Sequence, residues 1–218
     1  MQIATYNIWN SNTDKTERQE MLCQELNRVN ADVVALQEVS AIAEQSCTQY
    51  PHTVFRRYSE QGGEGLGNEG LGFLSKFPVL SAEAGWEFSA ALHNCGLRVK
   101  LRINGVSVAV TNVHLDYKSV AVREAQILAV TDWMAARSEP EDAEILCGDF
   151  NSYPESSVYR FLRGQQTLNG QESSVWHDLA AVYASRRGTL PAPTLDFQTN
   201  PRWANNPSLE LPARFDTK

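Results

Sequence analysis

Strand-like and helix-like segments alternate along this chain. The clearest strand lies at residues 105–116, where valines occupy every second position and smaller side chains lie between them. Residues 32–36 form a short continuous apolar run, which is typical of a strand buried on both faces. Residues 17–29 and 123–136 carry apolar side chains at helical spacing. This interleaving predicts an α/β (α+β) fold in which helices cover β-sheets.

Further segments extend the pattern and favour sheets of mixed direction. The dipeptide Asn104-Gly105 is a hairpin signal, so at least two strands are expected to run antiparallel. We predict other strands at residues 2–8, 70–80, 97–103 and 145–149, a helix at 156–162 that Gly164 ends, and mostly loop after Thr189. No internal repeat or linker is apparent, so residues 1–218 are expected to form one domain.

Composition narrows the class of protein. The chain has 218 residues, 42% of them hydrophobic and 21% charged, as in an ordinary globular domain. The formal net charge of −7 argues against indiscriminate binding to nucleic acid, although a local basic groove or a metal ion can reverse the sign at one site. The sequence contains no run of 18 apolar residues, so it predicts no transmembrane helix. We expect a cytoplasmic protein, or a secreted one if a leader has been removed.

The cysteines and a glycine-rich segment are both better explained by structural roles than by a binding site. The four cysteines are widely scattered and form no CxxC pair, so we interpret them as mostly buried thiols. Gly65, Gly67 and Gly70 form a GxGxxG pattern, but an acidic stretch precedes it and a strand-like segment follows it. A dinucleotide site needs a strand before and a helix after, so a loop is the better interpretation.

Four predicted strands end in polar side chains that an apolar core does not favour. They are Asn7 in TYNIWN, Gln37 and Glu38 in LQEV, Asn112, His114 and Asp116 in TNVHLDY, and Asp149 and Asn151 in CGDFN. Taken singly, each has a structural explanation: a turn, a solvated strand end, a satisfied core histidine or a helix cap. Taken together, they form a set of carboxylates and amides with one imidazole.

This set of side chains suits the hydrolysis of phosphoesters. Carboxylate and amide oxygens are typical ligands of Mg²⁺ or Mn²⁺, whereas the HExxH and cysteine-histidine patterns of zinc sites are absent from the sequence. A divalent cation neutralises the ester, and a carboxylate orients or deprotonates the attacking water. Amides and an imidazole stabilise the charge that shifts onto the phosphoryl oxygens.

The four segments, in this order, resemble the motifs of the endonuclease/exonuclease/phosphatase superfamily, which has the deoxyribonuclease-I-like fold. GLGFLSKFPV resembles a strand that the family places between them, and the resemblance runs from Ile3 to Asp216. It implies a four-layer sandwich of two mixed β-sheets flanked by helices. It also implies a Mg²⁺ site, with Mn²⁺ as a possible substitute.

The resemblance assigns roles to individual residues. Glu38 is implied as the principal metal ligand, with Asn7 beside it. Asp149 is implied to position or deprotonate the attacking water. Asn151 and His114 are implied to contact the scissile phosphate. Two further residues, Asn112 and Arg98, are expected to help bind the substrate, although a plain exposed strand arginine is the alternative for the latter.

The last residues depart from the family pattern. ARFDTK resembles the family's Arg-Ile-Asp-Tyr strand, which implies that Asp216 orients a catalytic histidine. No Ser-Asp-His motif follows it. We therefore expect an incomplete domain that lacks its final strands, with an enzyme that works without this histidine as the alternative, and strongly impaired catalysis in the chain as it stands.

Three functional hypotheses follow. The first is a Mg²⁺-dependent phosphodiesterase or phosphatase acting on a small-molecule, lipid-headgroup or nucleotide phosphoester, and a membrane-surface lipid is among its possible partners. TLDFQTNPRW resembles the sphingomyelinase-like and small-phosphodiesterase branches more than the DNA-repair branch. The second is a non-catalytic binding module that has lost the terminal histidine. The third is a DNA or RNA nuclease, which the negative charge does not favour.

Overall fold

The computed structural model describes residues 1–9, 15–39, 49–58, 69–93, 95–136, 141–194 and 216–217. Short 3-10 turns lie at Gly85–Glu87 and Ala90–Leu92. The strands and helices are β1 (Ile3–Asn7), α1 (Lys15–Val29), β2 (Val33–Val39), β3 (His52–Arg57), β4 (Gly70–Ser75), β5 (Val79–Ala84), β6 (Gly96–Ile103), β7 (Val106–His114), α2 (Val120–Ala135), β8 (Ala143–Asp149), α3 (Ser157–Leu162), α4 (Leu179–Arg186) and β9 (Asp216–Thr217).

In this part of the chain the strands form two mixed sheets. The first sheet has the order β1-β2-β4-β3 and the second has the order β5-β6-β7-β8-β9. In each sheet one neighbouring pair is parallel, β1 with β2 and β7 with β8, and the other pairs are antiparallel. The predicted mixed-sheet α+β fold is confirmed.

The two sheets pack face to face, and helices cover their outer faces. Apolar side chains such as Phe73 and Leu97 fill the space between the sheets. Helix α1 packs on the first sheet through residues that include Leu26. Helices α2 and α3 cover the second sheet through Ile127 and Phe161, among others. The arrangement is the predicted four-layer sandwich.

The segment predicted as one strand at residues 70–80 is two strands in different sheets. β4 ends at Ser75, and β5 begins at Val79. Between them the Ser75 hydroxyl group donates to the carbonyl oxygen of Phe77 and accepts from its N–H, which closes a tight turn before Pro78. The turn carries the chain from the first sheet to the second, which apolar content alone did not reveal. β3 and α4 were also not predicted.

Parallel pairing aligns the polar ends of four strands. Because β1 runs parallel to β2 and β7 to β8, the carboxyl ends of each pair meet at one edge of their sheet. β1 also packs against β8 across the sandwich, so the two edges lie side by side. In the described part of the chain, no helix is both long enough and apolar enough to cross a lipid bilayer.

Candidate active site

Asn7 lies at the centre of the candidate site, between two carboxylates. Its side-chain nitrogen donates to Glu38 Oε1 and to Asp149 Oδ2, each at 3.0 Å. The two acceptor oxygens are therefore within about 6 Å of each other. The Asn7 side-chain oxygen accepts from the N–H of Trp9 at 2.9 Å, which fixes the orientation of the amide. Residues from both sheets, 142 positions apart in the sequence, are joined here.

A β-bulge directs Glu38 into the site. Leu36 pairs with Gly72 and Val39 with Gly70, so β2 contains one more residue than β4 over this stretch. Glu38 has a φ of 57°, a left-handed conformation that a glutamate rarely adopts. Its side chain is 21% exposed, so the carboxylate is reachable from solvent. Backbone strain of this kind commonly occurs at functional sites.

The turn after β8 holds Asp149 and Asn151 together. The N–H of Asn151 donates to Asp149 Oδ1 at 2.9 Å, and the Asn151 side-chain nitrogen donates to the carbonyl oxygen of Leu115 at 2.8 Å. Asn151 has a φ of 45°. One of the two side-chain N–H groups of Asn151 therefore donates to the Leu115 carbonyl oxygen, and the second takes no part in that bond.

His114 lies opposite Glu38 and contacts a tyrosine. Its Nε2 is 4.0 Å from Glu38 Oε1, and its side chain is 17% exposed. Its Nδ1 is 3.1 Å from the hydroxyl oxygen of Tyr58, which follows β3 in the first sheet. Asn7, Glu38, His114, Asp149 and Asn151 thus occupy one region at the shared edge of the two sheets.

Asn112 is buried between the sheets and does not face the substrate side. It has no exposed surface. Its amide nitrogen donates to the carbonyl oxygens of Leu36 at 2.9 Å and Gly72 at 3.2 Å, and its amide oxygen accepts from Gln37 at 2.6 Å. These bonds occupy both donors and tie the second sheet to the first. The predicted contact between Asn112 and the substrate is therefore corrected to a structural role.

Arg98 lies away from the site, on the helix-covered face of the second sheet. Arg98 pairs with Thr111 in register, and alternation places both on the face opposite Asn112. Its guanidinium donates to the Thr111 hydroxyl group at 3.2 Å and to Glu144 at 2.5 Å, and the residue is only 6% exposed. The predicted substrate contact is corrected to a partly buried ion pair with Glu144, and the alternative of an exposed strand arginine is also wrong.

The remaining predicted residues lie near the edge or outside the described chain. The backbone of Asp216 pairs with Asp149 between β8 and β9. Its side chain is not among the described ones, so its orienting role stays a prediction. The Asp116 carboxylate accepts from the N–H groups of Lys118 and Ser119 and closes the turn before α2. TLDFQTNPRW after its first residue, Thr194, and most of the glycine-rich stretch fall outside the described residues.

The donor set fits a hard divalent cation only in part. Glu38 and Asp149 supply carboxylate oxygens within about 6 Å of each other, and Mg²⁺ typically binds one or two carboxylates and keeps several waters. Asn7, however, turns its nitrogen towards Glu38, so its predicted role as a ligand requires rotation of the amide. Among the described residues no three histidine, cysteine, aspartate or glutamate side chains form a metal cluster. A site that also uses water and substrate oxygens is compatible with these residues.

Two contributors were missed from sequence. Tyr58 has no motif around it, and β3, which it follows, was not predicted. Arg18 donates to the carbonyl oxygen of Ile8 and lies 4.2 Å from the centre of the Trp9 ring, and it thereby supports the turn that orients Asn7. The helical pattern of α1 gave no sign of this contact. Gln37 was recognised as a polar strand end, but its bond to Asn112 was not.

The chain is similar to known proteins in both sequence and fold. The profile of the Endonuclease/Exonuclease/phosphatase family matches residues 4–211. A Drosophila melanogaster protein named "Putative neutral sphingomyelinase" is 26% identical over 186 residues, covering 74% of this chain and 41% of that protein. The chain spans about two fifths of the length of the curated relatives it matches.

Solved structures share the fold. A mutant of beta toxin from Staphylococcus aureus with bound magnesium ions superposes with a TM-score of 0.69 at 16% identity, covering 99% of this chain and 81% of the toxin. ANGEL2, a 2',3'-cyclic phosphatase, superposes with a TM-score of 0.56 at 22% identity, covering 74% of this chain and 55% of that protein. The family match spans nearly the whole chain and includes all four polar strand ends. The chain belongs to the Endonuclease/Exonuclease/phosphatase family.

Proposed function

We propose that this chain hydrolyses phosphoesters with the help of a divalent cation, Mg²⁺ or Mn²⁺. The observation that carries the proposal is the bridge that Asn7 makes between Glu38 and Asp149, with His114 on the far side of Glu38. Two carboxylates, two amides and an imidazole converge on one solvent-reachable region. Family membership supports the same reaction class.

Each residue has a chemical role in the proposal. Glu38 is the principal ligand of the cation, and Asn7 joins Glu38 to Asp149 through its side-chain nitrogen. Asp149, whose second oxygen accepts from the N–H of Asn151, orients the attacking water and receives its proton. His114 and the second side-chain N–H of Asn151 donate to the phosphoryl oxygens as their charge changes. The cation, when bound, neutralises the ester and polarises its P–O bond.

We propose a small-molecule or lipid-headgroup phosphodiester as the substrate class. The named sphingomyelinase relative supports this class, and the net charge of −7 disfavours a nucleic acid backbone. A lipid headgroup implies a membrane surface as a partner. Nucleotide phosphoesters stay in the proposal because one structural neighbour is a 2',3'-cyclic phosphatase.

The first test measures metal binding and turnover together. Calorimetry with Mg²⁺ and with Mn²⁺ on the wild-type chain should show binding that Glu38→Ala removes. Hydrolysis of bis-p-nitrophenyl phosphate should depend on the metal and fall about 100-fold or more in Glu38→Gln. Glu87→Gln makes the same chemical change at an exposed carboxylate and should alter neither result.

Other outcomes of these measurements would favour a different function. Metal binding without turnover of any phosphoester would favour the non-catalytic binding module. Faster cleavage of single-stranded or duplex DNA than of sphingomyelin or cyclic nucleotides would favour the nuclease. If neither cation binds and no ester is cleaved, the proposed function is wrong.

A further inference from the structure

Tyr58 is a buried side chain that reaches the candidate site from the first sheet. It directly follows β3, and its N–H donates to the carbonyl oxygen of Glu69 at 2.9 Å. The residue is 6% exposed, and its ring meets Trp86 edge to face at 5.7 Å between ring centres. The aromatic ring is therefore held in one position, and its hydroxyl group points at the second sheet.

The Tyr58 hydroxyl group has His114 as its partner. The hydroxyl oxygen is 3.1 Å from Nδ1 of His114. Burial, together with the nearby carboxylates of Glu38, Glu69 and Asp149, raises the pKa of Tyr58 well above its ordinary value, so the group keeps its proton. Within the described residues, Nδ1 is the acceptor that this proton can reach.

This contact selects one form of the neutral imidazole. If Nδ1 carried the ring proton, the buried Tyr58 proton would face another donor and lack an acceptor, which is unfavourable. If Nδ1 accepts instead, the ring proton is on Nε2. Nε2 is the nitrogen that lies 4.0 Å from Glu38 Oε1, on the side of the site.

We propose that Tyr58 is a positioning residue that holds His114 with its proton on Nε2 and that N–H directed at the bound phosphoester. The catalytic meaning of this arrangement rests on the proposed function. The tautomer itself does not, because it follows from the contacts of the chain alone. Nothing in the motif pattern points to Tyr58, which joins His114 across 56 positions of sequence.

The direct test reads the tautomer by nuclear magnetic resonance. Protein labelled with ¹⁵N in histidine, held at a pH where imidazoles are neutral, is compared as wild type, Tyr58→Phe and Tyr159→Phe, with His114→Gln to assign the signal. The wild type should show a protonated Nε2 and an unprotonated Nδ1 at His114. Tyr58→Phe should shift both nitrogens towards a mixture of tautomers.

Tyr159→Phe is the matched control. It removes the same hydroxyl group from a tyrosine that donates to Asp178 Oδ2 at 2.7 Å, on the helical side of β8, and should leave His114 unchanged. A wild-type spectrum with the proton on Nδ1 overturns the proposal even if Tyr58→Phe fails to fold. An unchanged spectrum in a folded Tyr58→Phe also overturns it.

Kinetics separate this proposal from the proposed function. With bis-p-nitrophenyl phosphate, Tyr58→Phe should lower kcat about tenfold and leave KM nearly unchanged, because orienting partners typically contribute on this scale. Tyr159→Phe should change neither constant. If the wild type hydrolyses no ester, the proposed function fails while the spectra still decide the tautomer. If the tautomer shifts and kcat does not, the positioning role is wrong.

Discussion

At the scale of single residues, the candidate site brings two negatively charged side chains close together. Glu38 and Asp149 converge on one amide nitrogen, and neither sheet alone contains both. The Asn7 amide supplies the hydrogen-bond donors that these carboxylates would otherwise take from water or a cation. Its own oxygen is bound to the N–H of Trp9, so the amide cannot turn without losing that bond.

Replacing Asn7 by alanine should lower the free energy of unfolding by about 1–3 kcal/mol, because two hydrogen bonds to charged groups are lost and the carboxylates face each other. Urea denaturation without metal measures the change. Asn27→Ala, at an exposed position of α1, should stay within about 0.5 kcal/mol of wild type. An Asn7→Ala midpoint equal to that of wild type would show that the bridge contributes nothing to stability.

At the scale of secondary structure elements, the position of Asp149 depends on Gly148, the residue before it in β8. Gly148 has a φ of 136°, and a Cβ atom there would lie 2.0 Å from the carbonyl oxygen of Val113 on the neighbouring β7. The close approach of β7 and β8 therefore requires glycine directly before Asp149. The same pairing brings Leu115 next to Asn151.

Gly148→Ala should cost about 3 kcal/mol or more, since the backbone atoms of β7 cannot move away cheaply. Gly105→Ala, in the β6–β7 turn, is the comparison. Gly105 also has a positive φ, 86°, but a Cβ atom there would meet nothing within 4 Å. We expect a loss of about 1 kcal/mol for Gly105→Ala. Thermal unfolding of both variants checks the difference, and equal losses would contradict the steric argument.

The segment that enters β8 carries a pH-sensitive contact. Burial opposes ionisation of Glu141, but hydrogen bonds from Lys100, at 2.9 Å, and from the Ser107 hydroxyl group outweigh it and hold the pKa of Glu141 below its ordinary value. A carboxyl group with a lowered folded pKa stabilises the fold above its unfolded pKa of about 4.3, and this contribution is lost as the pH falls through the folded value.

Glu141→Gln should therefore lower the free energy of unfolding at pH 7 by about 0.5–1 kcal/mol, as for a partly exposed ion pair. The difference from wild type should shrink as the pH falls below about 4. Denaturation curves collected across this range make the measurement. A difference that is constant with pH would mean that the charge of Glu141 does not act through this contact.

At the scale of the whole molecule, polar bonds join the two sheets at the site edge and apolar packing joins them elsewhere. Asn112 links the second sheet to carbonyl oxygens of β2 and β4, whereas Leu101, fully buried, belongs to the apolar layer between the sheets. Both side chains hold the sandwich together, but only Asn112 lies in register close to His114. Replacing Asn112 should therefore affect both the site geometry and the stability of the fold, whereas replacing Leu101 should affect the stability alone.

Asn112→Ala should cost about 2–4 kcal/mol, because it removes the hydrogen bonds that Asn112 makes to Gln37 and to two carbonyl oxygens, and should also weaken Mg²⁺ binding. Leu101→Ala should cost about 2–5 kcal/mol through lost packing and leave Mg²⁺ affinity unchanged. Urea midpoints and calorimetric titrations test both statements. Equal effects on metal binding would show that the Asn112 contacts do not govern the site.

Much of the architecture was predictable because it follows from local periodicity. Alternating valines and helical spacing are read within a few residues, so the strand at 105–116 and the helix at 17–29 were found close to their observed bounds. The strand at 70–80 was not resolved into two, since both halves are apolar and only the turn at Phe77 separates them. Both faces of the second sheet are covered, so the sequence pattern did not show on which face Arg98 lies.

The sequence by itself determined the class of the fold, the family and most of the polar strand ends that form the candidate site. Those features depend on residue type and short spacing, which the chain carries directly. Only the tertiary structure decided that Asn112 is a buried link, that Arg98 pairs with Glu144, that a bulge redirects Glu38 and that Tyr58 meets His114. Each of these depends on strand register and on the packing of one sheet against the other, and such contacts between distant residues leave no trace in local periodicity.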